Sequence, residues 1–185
     1  NTELIYSDKI AGIARDMGFK NIIAEGTDEI SKIFSPNYRY VAPSGINLYM
    51  RNYPMSDNIS FRFSNTAWKD YPLTADKYVR WITETPGEHQ REETGIFQFI
   101  RYLSKYLHDA NLNTVNIKEI ASRHRVRDTV SIQKPTSWAD TNRDLSAWLG
   151  NEMQREAFDY LKEGIKAKDK KTWRYLQTSD LIYYM

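Results

Sequence analysis

The chain has 185 residues with 41% hydrophobic and 14% aromatic content, enough for one hydrophobic core, so a single domain is the default. A net charge of +2, from 26 basic and 24 acidic residues well mixed along the chain, argues against a nucleic-acid binder, which needs a dense basic face. No apolar run is long enough to span a bilayer, the first residues do not read as a secretory signal, and the absence of cysteine excludes disulfides and thiolate metal sites. A reducing cytoplasm suits that usage, and a cytoplasmic location is expected.

The chain enters on an apolar run, Asn1 to Tyr6, with Glu3 at the C-terminal end of an expected first strand. It starts without Met and stops abruptly on Tyr183-Tyr184-Met185, so a fragment or a chain with parts missing is expected. Ser7 caps a helix carrying Ile10, Ile13, Ala14 and Met17 on one face and ending at Gly18. Phe19 to Ala24 reads as a buried parallel strand closed by Glu25-Gly26. Thr27 caps a short helix with Ile30 and Ile33, stopped before Pro36. Tyr38 to Val41 and Ile46 to Arg51 read as strands around the turn Pro43-Ser44-Gly45. The alternation of Ile59, Phe61 and Phe63 within Asp57 to Phe63 favours a strand.

Thr74 starts a helix from Ala75 to Ile82, and Pro86-Gly87 breaks the chain. Ile96, Ile100, Leu103 and Leu107 mark an amphipathic helix, and Asn116 caps another through Ile120. Leu145, Trp148, Leu149, Met153, Ala157, Leu161 and Ile165 fit one long helix. Lys166 to Lys171 is a charged connector, and Trp173 to Gln177 opens a last helix. The fold class expected is α/β followed by an all-helical region.

Chemistry concentrates in Ser137 to Asn151, where Trp138 and Trp148 bracket Asp140, Arg143 and Asp144. Aromatic faces beside carboxylates suit a sugar, whose apolar face stacks while its hydroxyls take hydrogen bonds. The alternative is a helix N-terminus with buried tryptophans. Glu3 and Glu25 each end an expected strand, where parallel α/β folds collect catalytic groups. Glu88 and His89 share a loop that either binds a sugar or is plain surface. The three histidines have no helical i, i+4 partner, and no phosphate-binding glycine loop or G-x-S-x-G elbow occurs. No metal and no cofactor is expected.

Six stretches, in order, resemble the alpha-amylase branch of glycoside hydrolase family 57. They are Asn1 to Tyr6, Phe61 to Asn65, Leu73 to Tyr78, Gly87 to Gln90 followed by Thr94 to Phe97, Trp138 to Asn151, and Trp173 to Asp180. The resemblance implies an incomplete seven-stranded β/α barrel over residues 1–91 and a C-terminal helical bundle over residues 92–185. It implies retaining chemistry at α-glucosidic bonds of an α-glucan, with Glu3 as nucleophile. Substrate contacts are expected at Glu25, Glu88, His89, Trp138, Asp140 and Asp144.

Two departures stand out. Only about the C-terminal half of such an enzyme is expected here, by domain-size reasoning. Trp81 to Pro86 runs directly into Gly87, so by the resemblance Ile82 falls where the family's acid/base Asp belongs and its strand is expected to be deleted; Glu84 and Glu88 are weak substitutes. The expectation is a family-57 hydrolase, truncated and nearly inactive alone. The alternative is a non-catalytic glucan-binding or protein-interaction module. Open sheet edges make self-association a further expectation, with no nucleic acid and no membrane as partner.

Overall fold

The computed structural model describes residues 3–79, 92–166 and 168–185. In chain order the elements are α1 (Asp8–Asp16), β1 (Asn21–Glu25), α2 (Asp28–Ser31), β2 (Tyr40–Val41), β3 (Asn47–Arg51), α3 (Tyr53–Ser60) and α4 (Ala75–Val79). A 3₁₀ turn at Glu92–Thr94 leads to α5 (Ile96–Asp109) and α6 (Ile117–Arg123). Then follow α7 (Ser146–Leu149), α8 (Glu152–Glu163), a 3₁₀ turn at Gly164–Lys166, α9 (Lys170–Leu176) and α10 (Ser179–Tyr183). By contacts the chain forms two compact units, Asn1–Met50 with Val126–Met185, and Arg51–Arg125.

In the first unit, the Ser7 side chain accepts the Ile10 amide and so satisfies one of the donors a helix start leaves open. Gly18, at φ +89°, supplies the left-handed residue that ends α1. The core meets this helix along Ile10, Ala11 and Ala14, while Ile13 and Met17 are exposed; the expected face was too wide. Strand β1 buries Ile22 and Ala24 and exposes Ile23, so it is half-buried rather than covered on both faces.

The sheet has the order β1-β3-β2. β2 and β3 pair antiparallel, with Tyr40 opposite Leu48 and Val41 opposite Asn47. The predicted turn joins them: the Gly45 amide donates to the Ala42 carbonyl at 2.8 Å, and Gly45 sits at φ +87°. The outer side of β2 is not open. Val41 N–H donates to the Asp128 carbonyl at 3.1 Å, and its own carbonyl accepts from Val130 at 2.9 Å. Among the described residues this three-stranded sheet is what the expected barrel amounts to.

Glu3 is not at a strand end. It lies in a turn, because Glu3 and Leu4 take φ values of +53° and +51°, which no extended strand allows. The long helix expected over Leu145 to Ile165 is also interrupted. Asn151 accepts the Gln154 amide at 2.8 Å, and Gln154 Oε1 accepts the Asn151 amide in return. This capping box starts a second helix, and Met153 is left exposed. Gln154 is buried and donates to the carbonyls of Ala147 and Ile182 at 2.9 and 3.1 Å, tying α7 to α10. The helix expected from Trp173 to Gln177 is α9, which begins at Lys170 under an Asp169 cap and is followed after Thr178 by a further helix, α10.

In the second unit, the segment from Asp57 to Phe63, read as a strand from its alternation, is the end of helix α3 up to Ser60 and a turn beyond it. Pro54 at the helix start costs no hydrogen bond there and presets φ, while Ser56 and Ile59 turn inward at helical spacing. Phe63, Tyr78 and Phe99 pack edge to face, with centroids 5.0 and 5.7 Å apart. Leu103 and Leu107 of α5 extend that cluster. The Asn116 cap appears as a full capping box with Glu119, and α6 runs on to Arg123.

Candidate active site

Glu3 is held between two donors distant in sequence. Trp138 Nε1–H donates to Oε2 at 2.9 Å, and the Ser179 hydroxyl donates to Oε1 at 2.9 Å. Tyr6 anchors the turn behind it by exchanging two backbone hydrogen bonds with Thr136, each 2.9 Å. A non-glycine residue in the left-handed region costs of order 1–3 kcal/mol, so two in succession persist only where contacts over-determine them. The three anchors on this turn are of that kind, and they fix a half-buried carboxylate in one orientation.

The loop carrying Trp138 is built on Ser137, which is fully buried. Its amide donates to the Arg143 carbonyl at 2.9 Å, and its hydroxyl donates to the Asp144 carbonyl at 2.6 Å. That closes residues 137–144 into a ring of backbone, with Asp140 and Arg143 at φ +55° and +49°. Arg143 then reaches the end of β1: Nη1–H donates to Glu25 Oε1 at 2.8 Å, and the Glu25 side chain is 0% exposed. A carboxylate so enclosed does not reach a bulk ligand; it positions the loop through Arg143.

Asp140 is exposed, and the Tyr183 hydroxyl donates to its Oδ1 at 3.4 Å. The Asp140 charge, foremost, pushes the Tyr183 phenol above its ordinary value. Asp144 accepts the Ser146 amide at 2.8 Å. The Ser146 hydroxyl first, and its backbone amide second, hold this carboxyl below the usual range. Asp144 thus holds the start of α7 through the Ser146 amide. Asp28, Asp140, Asn142 and Arg143 border an open polar cavity of about 660 Å³.

The two tryptophans separate as their settings suggest. Trp138 is half-buried against Glu3, whereas Trp148 is 7% exposed within the cluster of Ala139, Ala147 and Ile182. Glu84, Glu88, His89 and Ile82 lie outside the described residues. Ser179 and Tyr183 were not singled out from sequence. Ser179 stands in the matched stretch Trp173 to Asp180, which was the available signal. Among the described residues no cluster of His, Asp and Glu is arranged to hold a metal ion.

Glu3 thus presents an oriented carboxylate beside an indole and a polar loop. The family model of glycosyl hydrolase family 57 matches residues 1–133. A protein of Methanocaldococcus jannaschii named putative alpha-amylase is 44% identical over 218 aligned positions, covering all of this chain and 46% of that protein. The chain thus spans about half the length of the curated relative it matches. The 218 aligned positions exceed the 185 residues here, so part of the relative's segment has no counterpart within this chain. No solved structure matches. The two matches overlap over residues 1–133 and together establish that the chain belongs to glycosyl hydrolase family 57.

Proposed function

We propose that the chain is part of a retaining, alpha-amylase-like glycoside hydrolase acting on α-glucosidic bonds of α-glucans, with Glu3 as the nucleophile. The observation that carries this reading is the Glu3 carboxylate, held by Trp138 on one oxygen and Ser179 on the other. In a retaining reaction Glu3 attacks the anomeric carbon, a carbon–oxygen bond to the leaving group breaks, and a glycosyl ester forms; water then releases the sugar. Trp138 stacks on a pyranose face, and Asp140 takes hydroxyl hydrogen bonds from the loop. Glu25 contributes by positioning that loop through Arg143.

The departing oxygen needs a proton, and a positioned acid contributes roughly 10²–10⁴-fold. By the resemblance, the family's acid position falls on Ile82. Natural glucan is therefore expected to react at no more than a trace rate, while an aryl α-glucoside, whose leaving group needs little acid help, turns over slowly. Glu3→Gln abolishes that turnover. Brisk hydrolysis of natural glucan points instead to Glu84 or Glu88 as acid. No turnover of either substrate with retained glucan binding moves the reading to a non-catalytic glucan-binding module. An intact mass well above 21.8 kDa identifies the sequence as part of a longer polypeptide.

A further inference from the structure

The open polar cavity of about 660 Å³ in the first unit is lined from two elements. The loop 137–144 contributes Asp140, Thr141, Asn142 and Arg143, Ser146 follows it, and Asp28 comes from the start of α2. We propose that this cavity binds one glucosyl unit of the α-glucan beside the unit at Glu3, with Asp28 accepting its hydroxyls from outside the loop. The inference rests on the reading of the chain as part of an α-glucan hydrolase and adds a subsite to it.

The backbone explains why the two elements meet. Glu25 ends β1 and its carboxylate pairs with Arg143, so the connection after β1 is tied to the loop. Local bonds then hold that connection: the Thr27 hydroxyl accepts the Ile30 amide at 3.4 Å, and the Ser31 hydroxyl donates to the Gly26 carbonyl at 2.9 Å. Asp28 follows directly on this held segment. On the other side, Ser137 closes the loop, and Trp138 carries the indole bonded to Glu3. Asp140 stands two positions further on. One short loop therefore connects the Glu3 carboxylate to the cavity.

The lining selects a neutral, hydroxyl-rich ligand. Two exposed carboxylates, Asp28 and Asp140, repel an anion such as phosphate. A cation meets the Arg143 guanidinium in the same wall, and among the described residues no group of His, Asp and Glu is placed to hold a metal ion. An apolar ligand would strip water from the carboxylates and return no hydrogen bond. A sugar replaces that water: its hydroxyls donate to Asp28 and Asp140 and accept from Arg143 and the Asn142 amide group. Hydrogen bonds to charged groups are the stronger kind. The cavity is also open, so the rest of a polymer can leave it on either side.

The test is a titration of the full chain with glucose, maltose and maltotriose, followed in proton–nitrogen amide spectra, beside turnover of 4-nitrophenyl α-glucoside. Maltotriose should shift the amides of Asp28, Thr141 and Asn142. It should bind at least about tenfold tighter than glucose, the scale of one hydrogen bond to a charged group. Asp28→Ala should remove that gain, and Asp28→Asn, which keeps a neutral acceptor, should lose less. Asn142→Ala provides an independent variant from the loop side, with a loss of up to about tenfold for a neutral hydrogen bond. Maltotriose that fails to bind the unmodified chain overturns the proposal, as do shifts that miss these amides. So does an affinity that Asp28→Asn and Asn142→Ala leave unchanged, or calcium chloride that shifts the same amides and displaces maltotriose. The nitrophenyl glucoside keeps the two readings apart. Turnover abolished by Glu3→Gln, with maltotriose binding indifferent to Asp28, sustains the nucleophile and removes the subsite. Maltotriose binding that depends on Asp28, without Glu3-dependent turnover, sustains the subsite and removes the nucleophile.

Discussion

Glu3 and Glu25 are the same side chain in two regions of one unit, and the structure uses them in opposite ways. Glu3 lies in a left-handed turn, half-buried, with neutral donors from Trp138 and Ser179 on its two oxygens. Glu25 ends β1 with no exposure at all and pairs with the Arg143 guanidinium. The hydrogen bonds from Trp138 and Ser179 fix the orientation of the Glu3 carboxylate. A buried ion pair uses the charge up in holding two segments together, and removing either partner leaves the other uncompensated. The common sequence pattern, an acid closing an apolar run, does not tell these uses apart.

The largest effect should come from breaking the pair. Arg143→Ala is expected to cost about 3–5 kcal/mol in urea denaturation, because Glu25 loses the ion pair from Arg143 while its side chain stays buried. Adding Glu25→Gln should recover part of that loss. If the single variant is as stable as the parent, Glu25 is not confined as the structure has it, and the contrast with Glu3 collapses.

The two tryptophans sharpen the same contrast. Trp148→Ala opens the packed core beside Ala147 and Ile182 and should cost about 3–5 kcal/mol. Trp138→Ala should cost less, since its ring is half-buried and it gives up one hydrogen bond to Glu3. The reverse order by denaturant midpoint would make Trp138 the structural residue and leave Glu3 without a stacking neighbour for sugar.

Smaller still is the effect of acid. Asp144 has its folded pKa lowered by Ser146, so its contribution is present above the ordinary carboxylate range and lost as pH falls through the lowered value. Unfolding midpoints followed downward from neutral pH should therefore fall less in Asp144→Asn, at acid pH, than in the parent. Phenol titration tests the alkaline side. Burial, then the Asp8 charge, pushes the Tyr6 phenol above the ordinary tyrosine value, so stability from this residue declines once pH exceeds that ordinary value. The smallest change is expected from Ser7→Ala, about 1 kcal/mol for a lost helix cap, and equal effects on both carboxylate settings would show that it acts through the whole unit.

Local signals were legible where their physics is local. Caps at Ser7, Thr27 and Asn116 are read from a side chain that reaches its own next turn. The Pro43-Ser44-Gly45 turn is read from the residue that tolerates positive φ. The amphipathic spacing of α5 follows from 3.6 residues per turn. Family membership was legible too, because motif order survives in the sequence even when segments are missing. Signals failed where two local codes compete. Ile59, Phe61 and Phe63 alternate like a strand, yet α3, with Pro54 in its first turn, runs through Ile59 to Ser60 and the chain turns after it. The run from Leu145 to Ile165 keeps helical spacing through Gly150 and Asn151, but the Asn151–Gln154 box outcompetes continuation.

By itself, then, the sequence determined the caps, the hairpin, the amphipathic helices and the family, since each depends on residues a few positions apart or on the order of motifs. Only the tertiary structure decided that Ser179 joins Trp138 on Glu3, that Arg143 takes Glu25, and that Gln154 ties α7 to α10. These contacts join residues up to 176 positions apart. A side chain's partner at such distance is set by which backbones pack together, and composition, periodicity and spacing carry no information about that.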